Sequence, residues 1–517
     1  MLIYQLLPRY WGDYTSENVR GGSLKENGCG HFSDIDSQSL DYFKSLGVTH
    51  MWYTGIIRHA THCDTNGCKP SHPQILKGEA GSPYAITDYY DVNPYLASHP
   101  DDRMKEFESL VERTHSKGMK VVIDFVPNHV SRDNVNFGLG DDKSVHWAPD
   151  NDFYYYPGQE LTLPVKFEAD AHYDRPYREF PARATGNDCF NPSPTINDWY
   201  ETVKLNYCPF HTPTWDRMLD ILRFWAGKGV DGFRCDMVEL VPAEFFTWAI
   251  AEIKKEYPDV VFIAEVYDRG NYRHYMKNVG FDLLYDKSGL YDALHDIVRY
   301  NAGSGEKAPE PWQSTRRITA NWQYLGDLQD GMLNFLENHD EQRLASDFFA
   351  GTPDRCFAAL AVSALFNGAS FMMYCGQEIG ERGMDNEGFS GADGKSTIFD
   401  WWKPRSSKLL WQWVHKGTGL EAKDKAILDK YHYITMLASM DVFRNGSTYD
   451  LCFCNLSSEG FDPDRHFAFL RYNDEICYLA VCNFSSAPMS AVIDIPLRGR
   501  MERVELAPYD YCIKELR

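Results

Sequence analysis

The chain has 517 residues, 43% hydrophobic and 24% charged, a globular profile too long for one ordinary domain and suited to a large barrel with one or two appended modules. Its formal net charge of -22 repels phosphate backbones and anionic lipid heads, so nucleic acid and membrane partners are not expected. The 13 Trp, 32 Tyr and 30 Phe read as a large aromatic core or as a sugar-binding cleft, because ring faces stack on apolar sugar faces; composition alone favours the core.

From the first residues onward, short β-rich runs alternate with helical patterns, the signature of βα units around a parallel sheet. Met1 to Leu7 has no basic segment ahead of it and reads as a buried strand rather than a secretion signal. Candidate strands begin at Ile3, Val48, Val121, Asp231, Val261, Phe281, Met332 and Ser370, eight in all, the number that closes a TIM (β/α)8 barrel. His62, Cys63, Cys68 and His72 are compact enough to suggest zinc, but His62 adjoins Cys63 and would strain a shared tetrahedron; an ordinary loop over the cleft is the expectation. After Pro100, Met104, Phe107, Leu110 and Val111 fall at helical spacing, with Gly118 at the stop. About a hundred residues then separate the third strand from the fourth, and a connection that long is usually functional. It holds Trp147 and Tyr154-Tyr155-Tyr156, either stacking platforms for sugars or a small aromatic core, and reads as a small inserted domain. Pro213 opens another helix, with Met218, Leu222 and Trp225 on one face. Beyond residue 445, alternating runs such as Phe467 to Arg471 and Cys477 to Cys482 announce a C-terminal antiparallel β-sandwich. The expected division is a catalytic barrel over 1–129 and 211–445, an insertion over 130–210 and an all-β domain over 446–517. The 13 Cys are odd in number and scattered, several inside apolar strands (Cys235, Cys375, Cys482). Free thiols in a cytoplasmic, reducing setting follow, and no apolar run is long enough to span a membrane.

Four strand ends carry charge: Asp124 to His129, Arg234 to Asp236, Glu265, and Glu337 to Asp340. Catalytic groups of a TIM barrel sit at such C-terminal ends. Adjacent strands lie ~4.8 Å apart, which allows Asp236 and Glu265 the separation of about 5 Å found in retaining glycosidases. Arg234, two residues before Asp236 and on the same side of the strand, would hold it ionised. Glu265 has no sequence-adjacent cation and can sit nearer neutral, as an acid must. Any one of these ends reads more readily as a helix cap or ion pair; four in barrel order do not.

The motifs resemble the α-amylase family of glycoside hydrolases. DFVPNH at 124–129, GFRCDMVE at 232–239, AEVY at 264–267 and FLENHDEQR at 335–343 look like its four motifs, in order across residues 1 to about 440. The resemblance implies Asp236 as nucleophile, Arg234 as its orienter, Glu265 as acid/base, and Asp340 as the third carboxylate. His339 and His129 would grip the sugar, and Tyr84, in SPYAITDYYDVNP, would stack beneath it. It also identifies the insertion with the family's B domain and the tail with its C domain. One departure concerns calcium. The family's frequent site uses the Asn of the first motif, an Asp where this chain has Lys204, and a His near Leu240. An ammonium group repels calcium, and a second calcium loop is replaced by Gly30-His31-Phe32, so no metal and no cofactor are expected. A second departure concerns cleft length. An Asp closes the cleft in relatives that trim single glucose units, and Gly81 stands there. The expectation is an open cleft hydrolysing α-1,4 bonds in malto-oligosaccharides or starch-like glucans. Its alternatives are transglycosylation, isomerisation or exo-action on small α-glucosides, and a catalytically dead carbohydrate-binding relative. Oligomeric state is not legible.

Overall fold

The computed structural model describes residues 1–12, 17–63, 69–300 and 309–516. Eight parallel strands close a barrel in sequence order: β1 (Leu2–Leu6), β2 (His50–Tyr53), β3 (Lys120–Phe125), β4 (Gly232–Cys235), β5 (Val261–Ala264), β6 (Leu283–Tyr285), β7 (Met332–Phe335) and β8 (Ser370–Tyr374). All eight expected strands are present. Closure runs through β1, which pairs with both β2 and β8. Continuous apolar runs such as Phe371-Met372-Met373-Tyr374 suit strands buried on both faces, by the barrel interior and by surrounding helices.

The helices follow their sequence cues. Arg103–Ser116 buries Phe107, Leu110, Val111 and Thr114, one stripe at helical spacing. It stops before Gly118, whose φ of 68° suits a residue without Cβ. Pro213 occupies the first turn of Pro213–Gly227, where its missing N–H is no loss.

The long connection after β3 carries two small antiparallel pairs. His129–Ser131 pairs with Thr202–Lys204, and Tyr155–Tyr156 with Ala182–Arg183. The first pair returns the insertion to the barrel mouth and delivers residues 199–204 beside it. Past residue 446 lie β9 (Ser447–Asp450), β10 (His466–Tyr472), β11 (Cys477–Asn483), β12 (Met489–Ile495), β13 (Arg500–Leu506) and β14 (Tyr511–Glu515). They form a four-stranded antiparallel sheet, β9-β10-β11-β14, and a separate β12-β13 pair. Phe366, behind the barrel, packs at 4.9 Å and 5.2 Å on Phe467 and Phe469 of β10, joining this unit to the main core. Among the described residues, no helix is long and apolar enough to cross a membrane, and the twelve described cysteines are free thiols; Cys68 lies outside them.

Candidate active site

Strand register sets the site. Cys235 of β4 is paired with Ala264 of β5, so Asp236 and Glu265 are the next residues at the same level on adjacent strand ends. On the other side Arg234 is paired with Asp124 of β3. Alternation turns Phe233 and Cys235 away and Arg234 inward. The Arg234 guanidinium is fully buried and collects the carboxylates around it: Nη1 lies 2.6 Å from Asp236 Oδ1 and 3.7 Å from Asp124, Nη2 lies 2.8 Å from Glu265 Oε1 and 3.9 Å from Asp340. Three ring faces, of Trp52, Tyr84 and Tyr285, surround it at 5.5–5.7 Å. Proximity in sequence is therefore a poor guide to cation placement: Glu265 lacks a neighbouring cation in the chain, yet the second arm of the same guanidinium reaches it.

Each carboxylate has its own environment. Burial pushes the Asp236 carboxyl well above its ordinary range, and the charge of Glu265 adds to this while Arg234 opposes it. Glu265 also accepts from the Tyr267 hydroxyl at 2.9 Å and from the Met237 amide at 2.8 Å. Met237 holds the left-handed conformation, φ 44°, which turns the chain after Asp236 so that this amide faces Glu265. Asp124 accepts from Trp52 Nε1 and the Tyr84 hydroxyl, and burial raises its carboxyl to about 6.

His339 and Tyr84 form the floor opposite. Gln5 Nε2 donates to His339 Nδ1 at 2.8 Å, which leaves the proton on Nε2, 2.5 Å from the Tyr84 hydroxyl and 3.1 Å from Asp340 Oδ2. Burial, aided by Arg234, keeps this ring neutral. The rings of Tyr84 and His339 stack at 5.2 Å. His129 is likewise buried and neutral, its pKa lowered to about 3 by burial and by Lys204 and Lys77. All seven residues singled out from the sequence thus surround one site. Asp236, Glu265, Asp340, Tyr84 and His129 line a cleft of about 530 Å³, and Arg234 and His339 lie directly behind them.

Sequence reasoning missed several groups of this site. Tyr267, Trp199, Lys77, Glu201 and Lys395 also line the cleft, and Gln5 and Trp52 fix its floor. The alternation of β1 and β2 toward the barrel interior was the available signal for the last two. The aromatic candidates of the insertion lie elsewhere. Tyr155 is buried and donates to Asp141, Tyr154 packs on Phe190 and His146, and Trp147 donates to Asn206. None of the four lines the cleft, and Trp199 is the ring from this insertion that does.

Gly81 also has a different meaning from the one expected. Its φ is 69°, and a Cβ there would stand 1.9 Å from the Ala60 carbonyl oxygen. The backbone demands glycine, and the space of a side chain is already filled, so the residue is no sign of an open cleft. Next to it, Ala80 N–H donates to the Phe399 carbonyl at 2.9 Å, which closes the loop over 76–81 against the segment after β8.

The donors implied for calcium are engaged by a lysine. Lys204 Nζ donates to Asn128 Oδ1 at 2.5 Å and to the Leu240 carbonyl at 2.9 Å, and pairs with Asp188 at 2.7 Å. A covalently attached cation among those oxygens does not fit a calcium ion beside it. In the loop considered for zinc, Cys68 lies outside the described residues. His72 uses both ring nitrogens, with Gln74 N–H and the Arg175 carbonyl. Among the described residues no group of three or more His, Cys, Asp or Glu is arranged to hold a metal.

Comparison with known proteins agrees with this architecture. The chain is similar to Alpha-amylase 3 of Dictyoglomus thermophilum, 25% identical over 461 residues that cover 85% of this chain and 77% of that one. It is also similar to Alpha-amylase MalA of Haloarcula japonica, 26% identical over 359 residues, 68% of this chain but only 42% of that protein. In three dimensions it superposes on the debranching enzyme of Nostoc punctiforme with a TM-score of 0.68 at 18% identity, covering 99% and 97% of the two chains, a likeness of fold. The family model for the alpha-amylase catalytic domain matches residues 5–449, and the chain therefore belongs to the α-amylase family of glycoside hydrolases.

Proposed function

We propose that this chain hydrolyses α-glucosidic bonds, of the α-1,4 type in malto-oligosaccharides or starch-like glucans, with retention of configuration. Asp236 attacks the anomeric carbon. Glu265 protonates the leaving oxygen, then takes a proton from the water that opens the glycosyl ester. Asp340 and the Nε2–H of His339 hold sugar hydroxyls through the oxocarbenium-like transition state, Tyr84 stacks beneath the cleaved unit, and His129 donates from the insertion side. The observation that carries this reading is one buried guanidinium bridging Asp236 and Glu265 at paired strand ends, beneath a cleft of about 530 Å³. Burying several carboxylates together is costly, and such clusters concentrate at catalytic sites, which supports catalysis over a non-catalytic binding role. The chemistry needs no cofactor, and with Lys204 among the implied calcium donors we read the enzyme as independent of that metal.

A second reading, trimming of short α-glucosides from one end, is favoured by the hydrogen bond that pins the loop over 76–81 on Phe399, a residue of the cleft lining. Digestion of a seven-glucose maltooligosaccharide labelled at its reducing end separates the two. Mixed maltose and maltotriose at early times support internal cleavage, and glucose alone, or its transfer to a second sugar, supports end-trimming or transglycosylation. NMR of the first product tests the mechanism itself: initial release of the β anomer would defeat retention and these roles.

A further inference from the structure

Which side of the cleft holds the glycone follows from the barrel. The acid/base acts on the leaving group, so the aglycone lies by Glu265 at the end of β5. In a barrel closed in sequence order, β1 stands across from β5, and the glycone side is that of β8, β1 and β2. The loop over 76–81 belongs to this side. It leaves from beyond β2 and is pinned on the segment after β8 by the Ala80–Phe399 hydrogen bond. Gly78, φ 66°, permits the approach, since a Cβ there would stand 2.3 Å from the Phe399 carbonyl.

This loop carries Lys77, whose ammonium meets a carboxylate of the insertion. Glu201 immediately precedes the strand Thr202–Lys204, which pairs with the strand beginning at His129. Lys77 Nζ lies 3.0 Å from Glu201 Oε1 and above the ring of Tyr200. Both residues line the cleft together with Asp236 and Asp340. Glu201 is 3% exposed, and its other oxygen, Oε2, is buried without a hydrogen-bond partner. A carboxylate oxygen left in that state is costly, and a donor brought to it offsets that cost.

We propose that Lys77 and Glu201 form a hydroxyl-binding pair on the glycone side, which recognises a neutral glucosyl unit by two neighbouring hydroxyls. One hydroxyl donates to the Glu201 carboxylate, once its side chain turns Oε2 out of its sealed position toward the cleft, and the next accepts from Lys77. A vicinal diol offers a donor and an acceptor at the spacing of such a pair, whereas a phosphorylated sugar meets a cleft in which carboxylates outnumber ammonium groups and is rejected. The pair thus sets substrate class and fixes the register of the sugar against Tyr84. This inference rests on the retaining-glucosidase reading above.

The test measures kcat and KM of the wild type, Glu201→Gln and Lys77→Met on an aryl α-maltoside and on analogues each lacking one glycone hydroxyl. Loss of a charge-assisted hydrogen bond to substrate is expected to raise KM by about tenfold to a hundredfold in each variant, with kcat within about threefold. The analogue that lacks the bound hydroxyl is expected to be poor for the wild type and no poorer for the variant. A purely structural ion pair gives a different pattern, with every analogue falling by the same factor and the thermal midpoint falling with it. That pattern, or an unchanged KM in both variants, overturns the pair. If Glu201→Gln alone does not fold, the charge-balanced double variant Lys77→Met with Glu201→Gln goes through the same series. Failure of the wild type on every α-glucoside would overturn the underlying function, whereas an active wild type with insensitive variants would overturn the pair alone.

Discussion

Replacing Arg234 by methionine removes the charge on which the site is built. Its nitrogens stand 2.6 Å from Asp236 and 2.8 Å from Glu265, and at an effective dielectric of about 20 each contact corresponds to roughly 6 kcal/mol of Coulomb attraction before desolvation is counted. Most of that is offset by the cost of burying the charges, and breaking a buried pair typically costs about 3–5 kcal/mol. The sign of the pH dependence follows from the carboxyls left behind. Arg234 opposes the burial that raises Asp236, so its removal lifts that carboxyl further above its unfolded value. A carboxyl so raised costs stability above its unfolded pKa and regains it as pH falls through the folded one. The variant is therefore expected to be most destabilised at neutral and alkaline pH and to recover on acidification. Urea unfolding at about pH 5 and about pH 8 reads this difference. Activity moves the opposite way, because Asp236, the nucleophile proposed above, must be ionised: the acidic limb of kcat/KM on an aryl α-glucoside shifts to higher pH. Each lost charge-assisted bond, about 1.5–3 kcal/mol, lowers the plateau by roughly tenfold to 150-fold. Arg234→Lys, with one point charge for two partners, falls between. An Arg234→Met enzyme within about threefold of wild type, its acidic limb unmoved, would refute the reasoning.

Three further outcomes are expected. Glu265→Gln lowers turnover of maltooligosaccharides by about 10²–10⁴-fold but spares substrates whose leaving groups need no proton, and azide partly restores the latter; equal loss on both, without rescue, would remove Glu265 from the acid role. Chelator leaves activity and thermal midpoint unchanged, whereas Lys204→Ala, which strands Asn128 and Asp188 without their cation, lowers the midpoint by the equivalent of about 1–3 kcal/mol; a calcium-reversible loss on adding EDTA to the wild type would contradict the ammonium's role. Thiol titration in denaturant without reductant finds nearly all cysteines reactive, and a count that rises only after reduction would contradict this.

What the sequence disclosed and what it withheld follow from the range of the interactions. The eight strands were legible because each is a short apolar run with its own boundary signals. The acidic groups were legible because each directly follows such a run, as Asp236 follows Cys235. Contacts across the barrel were not. Nothing near Glu265 in the chain announces that Arg234 reaches it from the neighbouring strand, and nothing marks Gln5 as the residue that sets the proton position on His339. Gly81 was misread for the same reason: whether a missing side chain is a vacancy depends on Ala60, twenty-one positions away in sequence. The insertion's many aromatic residues gave no ranking among themselves, since stacking on Phe190 and facing the cleft look alike in one dimension.

The Lys204 ammonium has a consequence of another kind. A bound metal stabilises a fold by mass action, in proportion to the logarithm of its free concentration, and the stabilisation drains away when the bath is depleted. Here the charge that ties the insertion to the barrel through Asn128, Asp188 and Leu240 is part of the chain, at an effective concentration that no dilution alters. The junction that presents His129 and Glu201 to the cleft thus draws this positive charge from the chain and not from solution. A lever is absent at this position, because a cation that cannot leave cannot report its own abundance.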